Sequence, residues 1–521
     1  MQREAMLGRL AGGSFDVIVI GGGASGLGVA VDAATRGYRT LLLEQCDFAK
    51  GTSSRSTKLV HGGVRYLQQG NIALVLEALR ERGLMRRNAP HLVRDLAFVV
   101  PSYRWWEGPF YGIGLKVYDA LARKLNLGPS RHLGRDETLA RIPNAQPEGL
   151  LGGTLYYDGQ FDDARMAITL ARTAAEHGAV LLNYVRVVGL LKARGFVAGV
   201  RARDEETGEE LEIPAKVVVN ATGVFADAVR RMDDTDAPAA LEPSQGVHLV
   251  LPRDFQPSDT ALMVPHTDDG RVLFVIPWHG RCVLGTTDTP TAGPVLEPRA
   301  REDEIDFILR NAARYLARDP RRSDVLSIFA GLRPLARASV SEKTKSLSRD
   351  HSVLVSATGL VTLIGGKWTT YRKMAQDTVD DAASIAGLDD VPCRTERLDL
   401  HGFMARDDPD FPAEDHWQAY GSEARAVCAL SSREPALAAP LHPRLPYQGV
   451  HVAWAVRHEM ARTVEDVLSR RTRSLLLDAR AALEAAPAVA KLVARELGRD
   501  ALWEKEQLES FAALVKTYLP E

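Results

Sequence analysis

At 521 residues, with 45% hydrophobic and 25% charged side chains, the chain has ample material for buried cores, roughly three domains by length. A net charge of -2 supplies no global pull toward nucleic acid, so any charged partner must be met by local patches. The four cysteines, Cys46, Cys282, Cys393 and Cys428, lie far apart and form no C-x-x-C pair, which argues against a zinc or other metal site and suits a reducing compartment.

Met1 to Gly13 carries charges and no continuous apolar core, so a secretory signal is not expected there. Val17 to Ile20 then reads as a buried parallel strand. Gly21, Gly22, Gly23, Ala24, Ser25 and Gly26 follow, and Gly21, Gly23 and Gly26 fill the G-x-G-x-x-G spacing. The first glycine of that fingerprint makes a tight turn, the second admits a pyrophosphate to the backbone, and the third lets the helix pack closely on the strand. A second apolar run, Thr40 to Leu43, ends at Glu44, placed to meet a ribose hydroxyl. The helix N-terminus holds the phosphates. Strand, glycines, helix and terminal acid in this order predict a dinucleotide site. The uncharged run Val17 to Val31 is Gly-rich and shorter than the roughly twenty residues a spanning helix needs, so no membrane crossing is expected.

Gly51 to Tyr66 is a hydroxyl-rich loop entering a short apolar segment. Thr52, Ser53, Ser54, Thr57 and Lys58, with exposed backbone N–H groups, suit a second phosphate or ribose contact. The loop leads on to His61 and Gly62, which continue the expected cofactor contact, and to Arg65 and Tyr66. Ile72 to Arg87 has a helical pattern with a basic side of Arg80, Arg82, Arg86 and Arg87. Tyr103-Arg-Trp-Trp106 precedes an amphipathic helix over Phe110 to Leu125, with one stripe of Phe110, Ile113, Val117, Leu121 and Leu125. A membrane-surface helix and a core-facing helix both fit that stripe.

Phe161 to His177 reads as a helix opened by Asp162 and Asp163. Lys216 to Gly223 is a buried strand ending in a Gly turn, which carries Ala221, Thr222 and Gly223 to the carboxyl edge where the ligand lies. From Gly246 to Asp288 short strands at hairpin spacing predict an antiparallel sheet inserted into the cofactor unit. Ser352 to Ser356 and Leu360 to Ile364 return to that unit, and Gly366, Lys367 and Thr369 open another helix toward the ligand. Leu388 to Asp415, rich in Asp and Pro, reads as a linker. The rest is helical, including a run from Arg457 to Arg471 with Met460, Val464, Val467 and Leu468 as its apolar positions.

Gly-Gly-Gly-Ala-Ser-Gly, Ser-Thr-Lys-Leu-Val-His-Gly-Gly-Val-Arg-Tyr, Val-Asn-Ala-Thr-Gly, Leu-Gly-Thr-Thr-Asp, Gly-Leu-Arg-Pro-Leu and Gly-Gly-Lys-Trp-Thr-Thr-Tyr-Arg occur in that order. Together they resemble the FAD-dependent glycerol-3-phosphate dehydrogenases over nearly the whole chain, and Arg-His-Glu-Met-Ala is similar to that family's C-terminal domain. Agreement is weakest over Gly402 to Pro446 and across the aromatic segment. The resemblance implies non-covalent FAD, oxidation of sn-glycerol 3-phosphate to dihydroxyacetone phosphate, electron delivery to a membrane quinone, and peripheral attachment to the anionic inner face of the cytoplasmic membrane. A homodimer is left open. Only one complete G-x-G-x-x-G occurs, so a second, nicotinamide site is not expected.

The expected fold is α/β: a Rossmann-like FAD-binding domain over 14–75, 150–235 and 345–390, an antiparallel-sheet substrate domain over 76–149 and 236–344, a linker over 391–415 and a helical C-terminal domain over 416–521. The implied reaction needs a general base near neutrality, for which His61 and His248 are both candidates. It also needs guanidinium forks for the phosphate, for which Arg65, Arg333 and Arg349 are candidates, with Tyr66 as a hydroxyl donor. Lys367 is placed to stabilise negative charge on the flavin edge. Competing readings are an oxidase of the same substrate using oxygen, a flavin oxidase of amino or hydroxy acids, and a flavin-binding protein without turnover. The arginine set speaks against the amino-acid oxidase, and the intact candidate catalytic residues against the last.

Overall fold

The computed structural model describes residues 1–63, 71–122, 125–337 and 351–520. The described strands, in chain order, are β1 (Phe15–Ile20), β2 (Thr40–Leu43), β3 (Leu59–Val60), β4 (Val93–Ser102), β5 (Arg131–Gly134), β6 (Gly152–Phe161), β7 (Val180–Leu182), β8 (Val185–Ala193), β9 (Phe196–Asp204), β10 (Glu210–Asn220), β11 (Leu241–Pro252), β12 (Thr260–Val264), β13 (Leu273–Trp278), β14 (Arg281–Gly285), β15 (Thr289–Pro290), β16 (Ser327–Ala336), β17 (Ser352–Val355) and β18 (Val361–Ile364).

β1 is the centre of the first sheet because Val17, Ile18 and Val19 are apolar on both faces and have no solvent-exposed surface. The sheet runs β17-β18-β10-β1-β2-β7, parallel from β18 to β7, with the β8–β9 hairpin joined through β10. Helices Ala24–Thr35 and Tyr371–Ala386 pack together on it. Two glycines make the entry possible. Gly21 has φ +108, which a side chain resists, and a Cβ on Gly26 would lie 1.9 Å from the Gly21 carbonyl oxygen.

The second sheet runs β15-β11-β14-β13-β12-β4-β6-β3, with β16 on β11 and β5 on β6. It is antiparallel except where β12 meets β4. The inserted strands from β11 to β14 match expectation, but the unit is wider. β6, expected in the cofactor unit, pairs along its full length with β4 here. Its reason is burial: nine of its ten residues are buried, and only a long antiparallel partner satisfies so many backbone groups.

The helix Glu107–Ala122 is anchored by Tyr111, Leu115, Tyr118 and Ala122, which face β6 and the helix Ile72–Asn88. The expected stripe lies on the other side: Phe110, Ile113 and Val117 are 52%, 69% and 44% exposed, and Trp105 is 82% exposed. The core-facing alternative fails for these three, whereas Leu121 and Leu125 at the end of the stripe are half-buried, Leu121 against the Val75, Leu79 and Tyr118 cluster and Leu125 against Gly83. Arg82, expected on a solvated basic side, is instead buried against Asp158 at 2.6 Å.

The C-terminal unit is helical, but the run expected from Arg457 to Arg471 is not continuous. The helix Gly449–Glu459 ends at Met460, φ +58. Asp466 then accepts from the backbone N–H groups of Arg462 (2.8 Å) and Thr463 (3.1 Å) and from the Thr463 hydroxyl (2.7 Å), local bonds that compete with helix continuation. A π-helical turn, Asp466–Arg471, follows. Its Arg470 and Arg471 both reach buried Asp47, at 2.5 and 2.6 Å, and fasten this unit to the cofactor sheet. No helix among the described residues is long and apolar enough to cross a membrane.

Candidate active site

One cavity of about 1230 Å³ runs between the two sheets. At one end it is lined by Gly21, Gly23, Ala24, Ser25 and Glu44, then by Thr52 and Ser53. The Glu44 carboxylate accepts from the N–H groups of Gly22 (2.7 Å) and Cys46 (2.9 Å); burial pushes its pKa up, and those two bonds pull it down. Ser53 Oγ accepts from the Ala24 N–H at 2.8 Å, tying the hydroxyl loop to the helix N-terminus. A Cβ on Gly23 would lie 3.0 Å from Ser53 Oγ, so the bare backbone there is the close approach a pyrophosphate requires. Ala221, Thr222 and Gly223 line the cavity from the end of β10, and Gly366, Lys367 and Thr369 from the turn after β18. An acid for ribose, a bare glycine turn and a helix N-terminus fit FAD.

At the other end His61, Thr57, His248 and Arg333 face the same space. His61 makes no side-chain hydrogen bond to a described residue. Burial lowers its pKa and the positive charge of Lys367 adds to this, against the pull of Asp158. His248 is 2% exposed; its Nε2 shares a 2.9 Å hydrogen bond with Thr57 Oγ1, and its ring stacks on Phe329 at 4.8 Å. Burial lowers its pKa well below the ordinary value, with Lys58 and Arg333 adding to the effect. Arg333 donates to Asp288 Oδ1 (3.1 Å) and to the carbonyls of Thr287 (2.9 Å) and Gln245 (3.3 Å). Arg271, also on the wall, donates to the Asp288 carbonyl at 2.9 Å.

Five of the expected contacts lie behind the wall: Gly22, Gly26, Ser54, Lys58 and Gly62 do not line the cavity. The glycines shape its backbone. Lys58 points away because its φ of +64 turns the side chain into the interior, where it meets Asp163 at 2.7 Å. Arg65, Tyr66 and Arg349 lie outside the described residues.

Residues that sequence reasoning missed include Asp158, which lines the cavity near His61 and accepts from Tyr118 (3.0 Å) and Arg82 (2.6 Å). Its signal was a carboxylate inside an otherwise buried strand. Trp368, whose indole N–H donates to the Ser53 carbonyl at 2.9 Å, had no such signal. Between the polar ends the wall is apolar, with Leu59, Phe98, Leu115, Met263 and Phe274, and it reaches the exposed Phe110 and Ile113.

The chain matches the family model described as FAD dependent oxidoreductase over residues 16–372. It matches the C-terminal domain of alpha-glycerophosphate oxidase over 356–507. The mitochondrial glycerol-3-phosphate dehydrogenase of Homo sapiens is 44% identical across 98% of this chain and 74% of its own length. That of Arabidopsis thaliana is 40% identical across 99% and 88%. The glycerol-3-phosphate dehydrogenase from Bacillus halodurans, solved with FAD, superposes with a TM-score of 0.81 at 30% identity, covering 99% of this chain and 98% of that one. An L-alpha-glycerophosphate oxidase from Mycoplasma pneumoniae, with a TM-score of 0.57 and 18% identity over 73% of this chain and 96% of its own, shares the fold. A Rossmann-type cradle, a substrate sheet and a C-terminal unit all shared along nearly the full length make this chain a member of the FAD-dependent glycerol-3-phosphate dehydrogenase family.

Proposed function

We propose that the cavity oxidises sn-glycerol 3-phosphate to dihydroxyacetone phosphate and that the electrons leave to a quinone drawn from a membrane. The observation that carries this reading is the continuity of one cavity, from the Gly21–Gly26 turn past His61 and Lys367 to Arg333. FAD, held by the Gly21–Gly26 turn, Glu44 and the N-terminus of the helix Ala24–Thr35, would supply a two-electron acceptor for the hydride of the carbinol carbon. His61 accepts the hydroxyl proton: its ring nitrogens are not tied to a described side chain, and its lowered pKa keeps it neutral at pH 7. His248, held by Thr57, orients the substrate rather than acting as base. Arg333 holds the phosphate, a role for which the family's motifs also offer Arg65 and Arg349. Lys367 and the helix that begins at Tyr371 offer positive charge to the cofactor's electron-rich edge.

The quinone reading draws support from the apolar wall between Phe98 and Phe274, which opens at the exposed stripe of the 107–122 helix. An exposed Trp, Phe and Ile beside Arg104 and Lys116 is a composition that suits the interface of an anionic bilayer. The test is anaerobic bleaching of the bound flavin by glycerol 3-phosphate, followed by reoxidation with a short-chain ubiquinone, oxygen or NAD in parallel. Fast recovery with quinone alone is expected. Recovery with oxygen at the same rate and release of peroxide would replace the dehydrogenase reading with an oxidase.

A further inference from the structure

Behind the cavity wall lies a buried box of four charged side chains. Lys58 Nζ donates to Asp163 Oδ2 at 2.7 Å and to the Ser54 carbonyl at 2.8 Å. From the C-terminal unit Arg473 reaches the same two groups. Its Nη2 donates to the Ser54 carbonyl (3.1 Å) and to Asp163 Oδ1 (2.8 Å), and its Nη1 to the Ser469 carbonyl (2.9 Å). Its Nε stands 3.4 Å from Asp162 Oδ1. All four ionic side chains are buried. Burial, with Arg473 adding, brings the Lys58 pKa down to about 7 in spite of Asp163.

Asp163 also accepts from the Ser56 N–H (3.0 Å) and the Ser56 hydroxyl (2.7 Å). The loop from Ser54 to Lys58 is therefore fastened from one side at each alternate residue. Lys58 has φ +64, a conformation uncommon for a lysine. It turns the Lys58 side chain into the box and leaves the Thr57 hydroxyl on the cavity side, 2.9 Å from His248 Nε2. The loop is a partition one residue thick: the cavity is on one face and the C-terminal unit on the other. His248 completes the pattern, because its Nδ1 is buried with no hydrogen-bond partner among the described residues. Its ring stacks on Phe329, and the Lys58 ammonium lies 4.8 Å from the centroid of that same ring.

We infer that Arg473 is a positioning residue of the C-terminal unit: through Asp163 and Lys58 it fixes the Thr57 hydroxyl against His248, and so sets the substrate end of the cavity. This rests on the cavity being the glycerol 3-phosphate site. Without the guanidinium, the Ser54 carbonyl keeps only the Lys58 ammonium and Asp163 Oδ1 only the Ala164 N–H, and the loop they hold loses its tie to the C-terminal unit. The influence of Arg473 on turnover then has to pass through Thr57.

A double-mutant cycle on the full-length, FAD-loaded protein tests this with Arg473→Lys, Thr57→Val and the pair together. Lysine keeps the charge, but one ammonium cannot serve three acceptors in that fork. Arg473→Met stays out of the cycle, because it leaves Asp162 and Asp163 facing Lys58 alone and threatens the fold. The readouts are FAD content and the anaerobic rate of flavin bleaching by saturating glycerol 3-phosphate. Each single variant is expected to slow bleaching about tenfold, the scale of one charged hydrogen bond. The double variant should be slowed by about the same tenfold, not by the roughly hundredfold of two independent effects. FAD content should stay at the wild-type level. A hundredfold loss in the pair, a wild-type rate in Arg473→Lys, or loss of FAD from Arg473→Lys would each overturn the role given to Arg473. Wild-type flavin that glycerol 3-phosphate does not bleach would instead overturn the reading of the cavity.

Discussion

Arg333 on β16 and Asp288, just before β15, face each other across β11, with guanidinium Nη1 3.1 Å from carboxylate Oδ1, and both side chains are one-third exposed and line the cavity. The carboxylate accepts in turn from the Ser244 hydroxyl. Both terminal nitrogens of Arg333 already have acceptors, Nη1 the Gln245 carbonyl and Asp288, Nη2 the Thr287 carbonyl and the Thr286 hydroxyl, so a phosphate bound there must take over some of these bonds.

Arg333→Ala should lower kcat/KM for glycerol 3-phosphate by about ten- to several-hundred-fold, since a charged hydrogen bond contributes roughly 1.5–3 kcal/mol and each 1.4 kcal/mol is tenfold. Arg333→Lys should recover only part. Unphosphorylated glycerol is the control, and its poor turnover should hardly change. Equal losses for both substrates, with FAD still bound, would mean that Arg333 serves the fold or the flavin.

His61 is expected to give kcat/KM a rising acid limb. Its pKa is lowered by burial, so the neutral base is fully present above the ordinary histidine value and is lost only as pH falls below the lowered one. The midpoint should therefore lie under about 6.5, the unperturbed histidine value. His61→Gln should flatten that limb along with its loss of rate. An unchanged profile in the variant would transfer the role elsewhere, with His248 next in line.

Arg165 and Glu459 form a buried bidentate pair, 2.8 and 2.9 Å, between the helix Asp163–Glu176 and the end of the helix Gly449–Glu459. Although burial opposes it, Arg165 draws the Glu459 pKa down to about 2. A depressed carboxylate pKa gives stability that is complete above about 4.5 and disappears as pH falls toward about 2. Glu459→Gln should cost about 3–5 kcal/mol at neutral pH, because it leaves a buried guanidinium uncompensated. The gap to wild type, read from urea unfolding, should narrow below pH 4.5. A gap independent of pH would show that the pair is not what couples these helices.

Replacing Trp105, Phe110 and Ile113 with serine should abolish flotation with anionic vesicles while leaving FAD content and the unfolding midpoint at the wild-type level. Each residue is more than half exposed, so the fold has nothing to lose. Undiminished flotation of a folded triple variant would place the membrane contact on another face.

The cofactor end was legible because its demands are local. A turn at φ +108 and a helix that passes within contact of the Gly21 carbonyl admit glycine and little else, so Gly21 and Gly26 announce themselves. The network under the wall was not legible. Asp163 and Arg473 stand 310 positions apart, and nothing near either residue signals the other. Lys58 misled because a polar residue in a hydroxyl loop suits a ligand, whereas a left-handed backbone at a residue other than glycine decided its direction. The stripe of Phe110, Ile113 and Val117 was read correctly as one face of a helix. Periodicity does not say which face is covered, and here the aromatic and small residues opposite, Tyr111, Tyr118 and Ala122, carry the packing. β6 lacks alternation because it is buried on both sides, so its pattern could not reveal which sheet it joins.

The strand order of the first sheet sets a timetable for synthesis. β1 leaves the ribosome early, yet β10 beside it and β18 beyond that arrive some 200 and 340 residues later. The helix Tyr371–Ala386, which covers the fingerprint helix, comes later still. At roughly 5–20 residues per second, the nascent chain spends on the order of tens of seconds with β1 lacking one neighbour and the cradle open. Flavin capture is thus an event of the last stage of translation or after it, and until then the apolar face of the fingerprint helix is a surface for chaperones to guard.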